Sequence, residues 1–95
     1  MTLRETILNI AVNMGRLSRY SQQKNLDRIE TFLNDNEQYI RELEMSQLSE
    51  LIKPTIKEFL KAYRALVESK SKLTDNWAED ALTWANILTH RSKLL

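Results

Sequence analysis

Residues 2–19 read TLRETILNIAVNMGRLSR, and this stretch decides the fold class. Thr2 followed by Glu5 three residues later forms a capping box, which marks the start of a helix. Apolar residues then recur at alternating intervals of four and three, which is the spacing of one helix face. They are Leu3, Ile7, Ile10, Met14 and Leu17. The sequence therefore predicts a first helix over about residues 3–19.

The apolar surface of this first helix is wider than a single face. Leu8 and Val12, four residues apart, lie well round the helix from the centre of the main stripe. A helix this apolar needs cover on two sides, and either the other helices of the chain or a second copy of the chain could supply it. Leu8 and Val12 are therefore the candidate partner interface.

The composition extends the helical prediction to the whole chain. One Gly and one Pro in 95 residues leave few of the residues that build turns, so the chain must be mostly helical. The length and a hydrophobic share of 42% fit a single domain over residues 1–95 with a modest core. A core of this size gives marginal stability, which a second copy of the chain would improve.

The second predicted helix covers about residues 22–44, with Ser21 as its cap. Its apolar seam has one polar member, Asn36, where an apolar residue is expected. The seam consists otherwise of Leu26, Ile29, Leu33, Ile40 and Leu43. Asn34-Asp35-Asn36 could instead break the helix, since these side chains compete for backbone hydrogen bonds. We favour one long helix, because the phase of the seam survives the interruption, with Asn36 as a buried polar residue that fixes register.

The third helical segment covers about residues 47–70 and opens at Ser46 or Ser49, but Pro54 interrupts it. Proline is tolerated only in the first turn of a helix. The segment is therefore either a short helix over 47–52 followed by a long one from near Pro54, or one helix kinked there. The common apolar phase on both sides favours the kinked helix.

The fourth predicted helix covers residues 75–92 and is capped by Thr74. Its buried face alternates two large Trp with small Ala, which lets another helix approach closely between the indoles. This face consists of Trp77, Ala81, Trp84, Ala85 and Leu88. Four helices with short connections predict an all-α fold, an antiparallel up-and-down four-helix bundle.

The net charge of +1 conceals an alternation along the chain. Residues 1–26, 27–50, 51–73 and 74–95 carry +3, −5, +4 and −1 respectively. Alternating segments of this kind suit neighbouring antiparallel helices that attract one another, although each exposed ion pair contributes little stability.

The sequence offers no constellation for catalysis. It contains no Cys, so thiol nucleophiles and thiolate zinc sites are excluded, and its single Gly cannot build a phosphate-cradling loop. The lone His90 has no Asp or Glu at the helical positions where a metal-binding partner would stand, and it suits the end of a helix dipole. We therefore expect no enzyme activity, no cofactor and no metal.

The most suggestive polar feature is a basic stripe on the third helix, formed by Lys53, Lys57, Lys61 and Arg64. These cations fall within about 80° of one another round the helix and could contact phosphates or another anionic surface. Glu58 and Glu68 could pair with Lys61 and Arg64 at helical spacing, and the acidic second helix could lie alongside. We favour this intramolecular or solvated role over an anion-binding site.

These observations predict a small, soluble, non-catalytic helical protein-protein interaction module, which self-associates as a homodimer or binds another protein. The alternative is an anion- or nucleic-acid-binding protein that uses the basic stripe. No apolar run approaches the 18 residues of a membrane span, and the first residues lack the long apolar run of a signal peptide, so we expect a cytoplasmic protein without membrane contact.

Overall fold

The computed structural model describes all 95 residues and contains four helices and no strand. The helices are α1 (Leu3–Gln22), α2 (Leu26–Met45), α3 (Lys53–Glu68) and α4 (Asp75–Ser92). Short connections reverse the direction of the chain after each helix. The predicted all-α four-helix bundle is confirmed.

Helix α1 lies against both α2 and α4, so it forms the centre of the packing. Its contact with α4 is close because α4 presents small residues there: Ala78, Ala81 and Ala85 are all buried. The Ser18 hydroxyl donates a hydrogen bond of 2.8 Å to the backbone carbonyl of Ala78, which requires the two backbones to lie near each other. The predicted close approach to the Ala positions of the last helix therefore involves α1.

The boundary between the first two helices differs from the prediction. Helix α1 continues past Arg19 to Gln22, and Ser21 is buried within it rather than capping the next helix. Asn25 is the cap of α2, because its side-chain oxygen accepts a hydrogen bond of 3.2 Å from the Arg28 N–H. The longer helix is favoured because it gains almost another turn of backbone hydrogen bonds. It also places Ser21 on the same face of the helix as the core residues.

Helix α2 is unbroken through Asn34-Asp35-Asn36, as favoured from the sequence. Asn36 is completely buried, and its side-chain carbonyl accepts a hydrogen bond of 3.0 Å from the Asn13 amide of α1. Its own amide lies 3.7 Å from the Met14 sulfur. The polar residue in the seam is therefore satisfied within one chain and does not require a second copy.

The kinked third helix is wrong, and so is a short helix over 47–52. Helix α3 begins at Lys53, with Pro54 in its first turn, where the missing proline N–H costs no hydrogen bond. Residues 46–52 contain bends and turns, yet Ile52 is buried and Leu48 half-buried in the core. Leu48 and Ile52 are apolar because they pack into the core from an irregular segment. They are not a continuation of the apolar face of α3. The helix ends at Glu68, two residues before the predicted end.

Helix α4 has the predicted boundaries, and the Thr74 side chain caps it by accepting a hydrogen bond from the Trp77 N–H. Of the predicted buried face, Trp77, Ala81, Ala85 and Leu88 are buried, whereas Trp84 is half-buried and packs edge-on to Phe59 at 5.6 Å. The indole N–H of Trp77 donates a hydrogen bond of 2.9 Å to the Leu66 carbonyl and thereby links α4 to α3.

Two ion pairs connect α2 with α3 and with the turn that follows α3, in agreement with the alternating charge of the sequence. Glu44 pairs with Arg64 at 3.0 Å, and Glu30 pairs with Lys70 at 2.8 Å. Between them, the Tyr63 hydroxyl lies 3.5 Å from the Leu33 carbonyl oxygen, and burial raises the pKa of Tyr63 to about 12. Tyr63 is therefore neutral throughout the physiological pH range.

The turns use non-glycine residues in the left-handed region, as a chain with one Gly must. Lys24 in the α1–α2 turn has a φ of 56°, and Leu73 in the α3–α4 connection has a φ of 37°. Such residues cost conformational free energy. The two turns lie at the same end of the bundle, where the Lys24 ammonium group donates a hydrogen bond to the Leu73 carbonyl.

Candidate protein interface

The outer surface of α1 carries the two apolar residues singled out from the sequence. Val12 is 53% exposed and Leu8 is half-buried, and neither is among the side chains that pack into the core. Helices α2 and α4 cover the two flanks of α1 but leave this outer line open. The chain therefore supplies the cover predicted for the main stripe, and Val12 remains largely uncovered.

A third exposed apolar residue, Leu82 of α4, lies at nearly the same level along the bundle as Val12. Its helical neighbours Ala78 and Ala85 are buried, and Ala78 contacts Ser18 of α1. Val12 lies about 9 Å from Ser18 along α1, and Leu82 about 6 Å from Ala78 along the antiparallel α4, at about 1.5 Å per residue. Leu82 is thus nearly level with Val12, and it is 47% exposed.

Charged side chains stand at both ends of the same line. Glu5 and Arg19 are each seven residues from Val12 and are both exposed. Seven residues are almost two helical turns, so the three side chains point in nearly the same direction. The Glu5 carboxylate accepts a hydrogen bond of 3.1 Å from the Thr2 N–H, which lowers the pKa of Glu5 and keeps it charged at neutral pH.

We define the α1 outer face as Glu5, Leu8, Val12 and Arg19 together with Leu82 of α4. The sequence predicted its Leu8 and Val12. Leu82 could not be found without the register between α1 and α4. Glu5 and Arg19 lie at equal distances from Val12, and this becomes informative because α1 continues as one uninterrupted helix beyond Arg19.

A polar groove between α1 and α2 borders this face, with a volume of about 340 Å³. Arg16 lines this groove, and its guanidinium lies 5.2 Å from the centre of the Phe32 ring and donates a hydrogen bond of 3.2 Å to Asn13. Phe32 in turn stacks on Tyr20 with ring centres 5.6 Å apart. Tyr20 of α1 therefore packs against α2.

The basic stripe is only partly free. Lys53, Lys57 and Lys61 are exposed and form no ion pair, whereas Arg64 is bound to Glu44 of α2. The pairing is thus with the neighbouring acidic helix, and the expected pairs with Glu58 and Glu68 do not form. Three cations spaced four residues apart remain along the solvent side of α3.

A second groove, of about 390 Å³, lies between α3 and α4 and was not anticipated from the sequence. It is lined by Trp77 and Trp84 of α4 and by the small residues Ala62 and Ala65 of α3. The signal for it in the sequence is the pair of small residues on α3 opposite the two indoles. Asp80 is its charged member.

No group of three or more His, Cys, Asp or Glu side chains lies close enough to hold a metal ion. None of the four helices combines the length and apolar character needed to cross a membrane.

Comparison of the chain with protein families, curated proteins and solved structures finds no match.

Proposed function

We propose that this protein is a cytoplasmic, non-catalytic helical interaction module that self-associates through the α1 outer face. The observation that carries the proposal is the 53% exposure of Val12, midway along the helix that forms the centre of the bundle. A single exposed valine is ordinary on a protein surface. Here Leu8 and Leu82 add to it, and together they form an apolar patch rimmed by charges, which is typical of protein contacts.

The size of this patch supports a weak complex. Burying the exposed part of each apolar side chain contributes roughly 1 kcal/mol, about half of the value for full burial. Two copies would bury six such side chains, and part of that gain offsets the loss of rotational and translational freedom. The total of roughly 6 kcal/mol is close to the lower estimates of that cost, so apolar burial alone gives no tight complex. We therefore expect a weak dimer that forms only at high-micromolar concentration.

Replacing both Leu8 and Val12 by Glu is expected to weaken dimerisation at least tenfold, because it removes apolar contact at both positions and places charged carboxylates where the contact would exclude water. Glutamate is a good helix former, so the fold should persist. Light scattering measures the mass, and circular dichroism checks the helices.

The matched control is Leu26→Glu with Met45→Glu, which places the same charges at apolar positions of α2 that are 44% and 87% exposed. It should dimerise normally. Equal weakening in both double variants would contradict a role for the α1 outer face, and loss of helix in Leu8→Glu/Val12→Glu would show that the patch belongs to the monomer core.

The second candidate function is anion or nucleic-acid binding by the basic stripe, which is favoured by the three unpaired lysines. Functional binding by Lys53, Lys57 and Lys61 would give a log–log salt slope of about −3 on duplex DNA. We expect instead that Lys57→Gln/Lys61→Gln changes stability by less than about 0.5 kcal/mol, as for other solvated charges.

This expectation is checked by titrating labelled DNA and RNA at low salt and by urea unfolding. Submicromolar binding by the unmodified chain that is lost in Lys57→Gln/Lys61→Gln would contradict it and favour nucleic-acid binding over self-association. An Arg28→Gln/Arg41→Gln variant, which removes two exposed cations from α2, controls for net charge.

A further inference from the structure

We propose that two copies of the chain pair their α1 helices antiparallel, across a two-fold axis at Val12, with Glu5 of each copy facing Arg19 of the other. This inference rests on the proposed self-association and specifies its geometry. It uses the residues of the α1 outer face and the adjoining Arg16.

The positions of the charges define the axis. Consider an antiparallel pair of α1 helices related by a two-fold axis at Val12. A residue of one copy lies level with a residue of the other copy when Val12 is midway between the two positions in the sequence. Glu5 and Arg19 satisfy this relation, and each stands about 10.5 Å from Val12 along the helix. Two opposite-charge pairs therefore form by symmetry, one at each end of the contact.

The charges also select the orientation. A parallel pairing in register would place Glu5 against Glu5 and Arg19 against Arg19, which is repulsive at both ends. The antiparallel arrangement makes both ends attractive. Near the centre, Leu8 is level with Arg16 of the other copy, whose aliphatic stem can cover apolar surface while its guanidinium stays on Phe32.

A second copy is favoured over an unrelated partner because the face is complementary to itself. It carries one acidic and one basic group at equal distances from an apolar centre, which is the pattern required of an isologous contact. Leu82 of each copy, about 3 Å from the level of Val12, adds apolar surface beside the axis.

The first test uses the absence of cysteine from the chain. A Val12→Cys variant carries a single thiol, which meets its own symmetry mate at the axis. Mild oxidation should link it into a disulfide dimer at least tenfold faster than Lys57→Cys, an exposed control position on α3. Equal rates for the two variants would overturn an axis at Val12.

The second test is charge complementation. Glu5→Lys and Arg19→Glu should each dimerise about tenfold more weakly, since each introduces two like-charge contacts. When the two variants are mixed, the heterodimer pairs the introduced lysine with the introduced glutamate at one end and keeps the native Arg19–Glu5 pair at the other. Its affinity should therefore return to that of the unmodified protein.

The control for complementation is Arg41→Glu, which makes the same charge change on α2. This variant should dimerise normally and should not form a preferred heterodimer with Glu5→Lys. A preferred heterodimer between these two variants would mean that net charge alone drives the pairing, and it would overturn the specific contact between Glu5 and Arg19.

Glu5→Lys also removes the capping-box acceptor, so Glu5→Gln, which keeps a side-chain acceptor, provides a second variant with the charge deleted. It should weaken the dimer less than Glu5→Lys does. The outcomes separate the two proposals. A dimeric unmodified protein without complementation overturns the antiparallel pairing and leaves self-association intact, whereas a monomer overturns both.

Discussion

Trp77→Ala is expected to lower the free energy of unfolding by about 3–5 kcal/mol, the largest effect of any single substitution considered for this chain. Trp77 is only 3% exposed, and its loss removes an indole that spans α3 and α4. It also leaves the Leu66 carbonyl without the hydrogen bond from the indole N–H. Urea unfolding followed by far-ultraviolet circular dichroism measures the change.

Trp77→Phe separates the two contributions of the indole. It keeps most of the ring but removes the donor, and it should cost about 1–2 kcal/mol. Small domains are stable by only about 5–15 kcal/mol, so the cost of Trp77→Ala can exceed the stability of the whole chain. Trp77→Phe then still gives a measurable free energy of unfolding. A loss below about 1 kcal/mol for Trp77→Ala would contradict the packing of α4 on α3.

Asn36→Leu is expected to destabilise the chain by about 1–3 kcal/mol. The substitution leaves the buried Asn13 amide without its acceptor, and an unpaired buried donor costs its full desolvation free energy. Asn13→Leu/Asn36→Leu removes both partners, so it should be less destabilised than the sum of the two single variants. Urea unfolding of the four proteins in this cycle gives the coupling.

The matched control for this cycle is Asn34→Leu, which makes the same substitution at an exposed position of the same helix. It should change the free energy of unfolding by less than about 0.5 kcal/mol. Additive costs for Asn13→Leu and Asn36→Leu would mean that the two amides do not depend on each other, contrary to their hydrogen bond.

The regular parts of the fold were predictable because periodicity and caps act locally. Thr2 with Glu5 and Thr74 mark the starts of α1 and α4, and both starts agree with the sequence. The prediction for Ser21 was wrong because a serine suits two positions equally well. It can cap a helix, or it can fill a small buried position one turn after Leu17. Pro54 allowed two interpretations, and the long helix that begins near Pro54 in one of them is confirmed. Residues 46–52 form neither the kinked extension nor the short helix.

The candidate site was predictable only where one helix determines it. The spacing of Leu8 and Val12 reveals surface outside the main stripe, but the distance from Val12 to Leu82 depends on how α1 and α4 are aligned. Asn36 shows the same limit. Its polar character in an apolar seam suggested a buried residue that fixes register, but only the tertiary structure shows that its partner is Asn13.

The molar mass of the unmodified protein, measured by light scattering across dilution, tests self-association most directly. We expect 11.2 kDa at low concentration and a rise toward twice that value as the protein approaches high-micromolar concentration. A mass that stays at 11.2 kDa through the high-micromolar range would contradict self-association and, with it, the antiparallel pairing of α1.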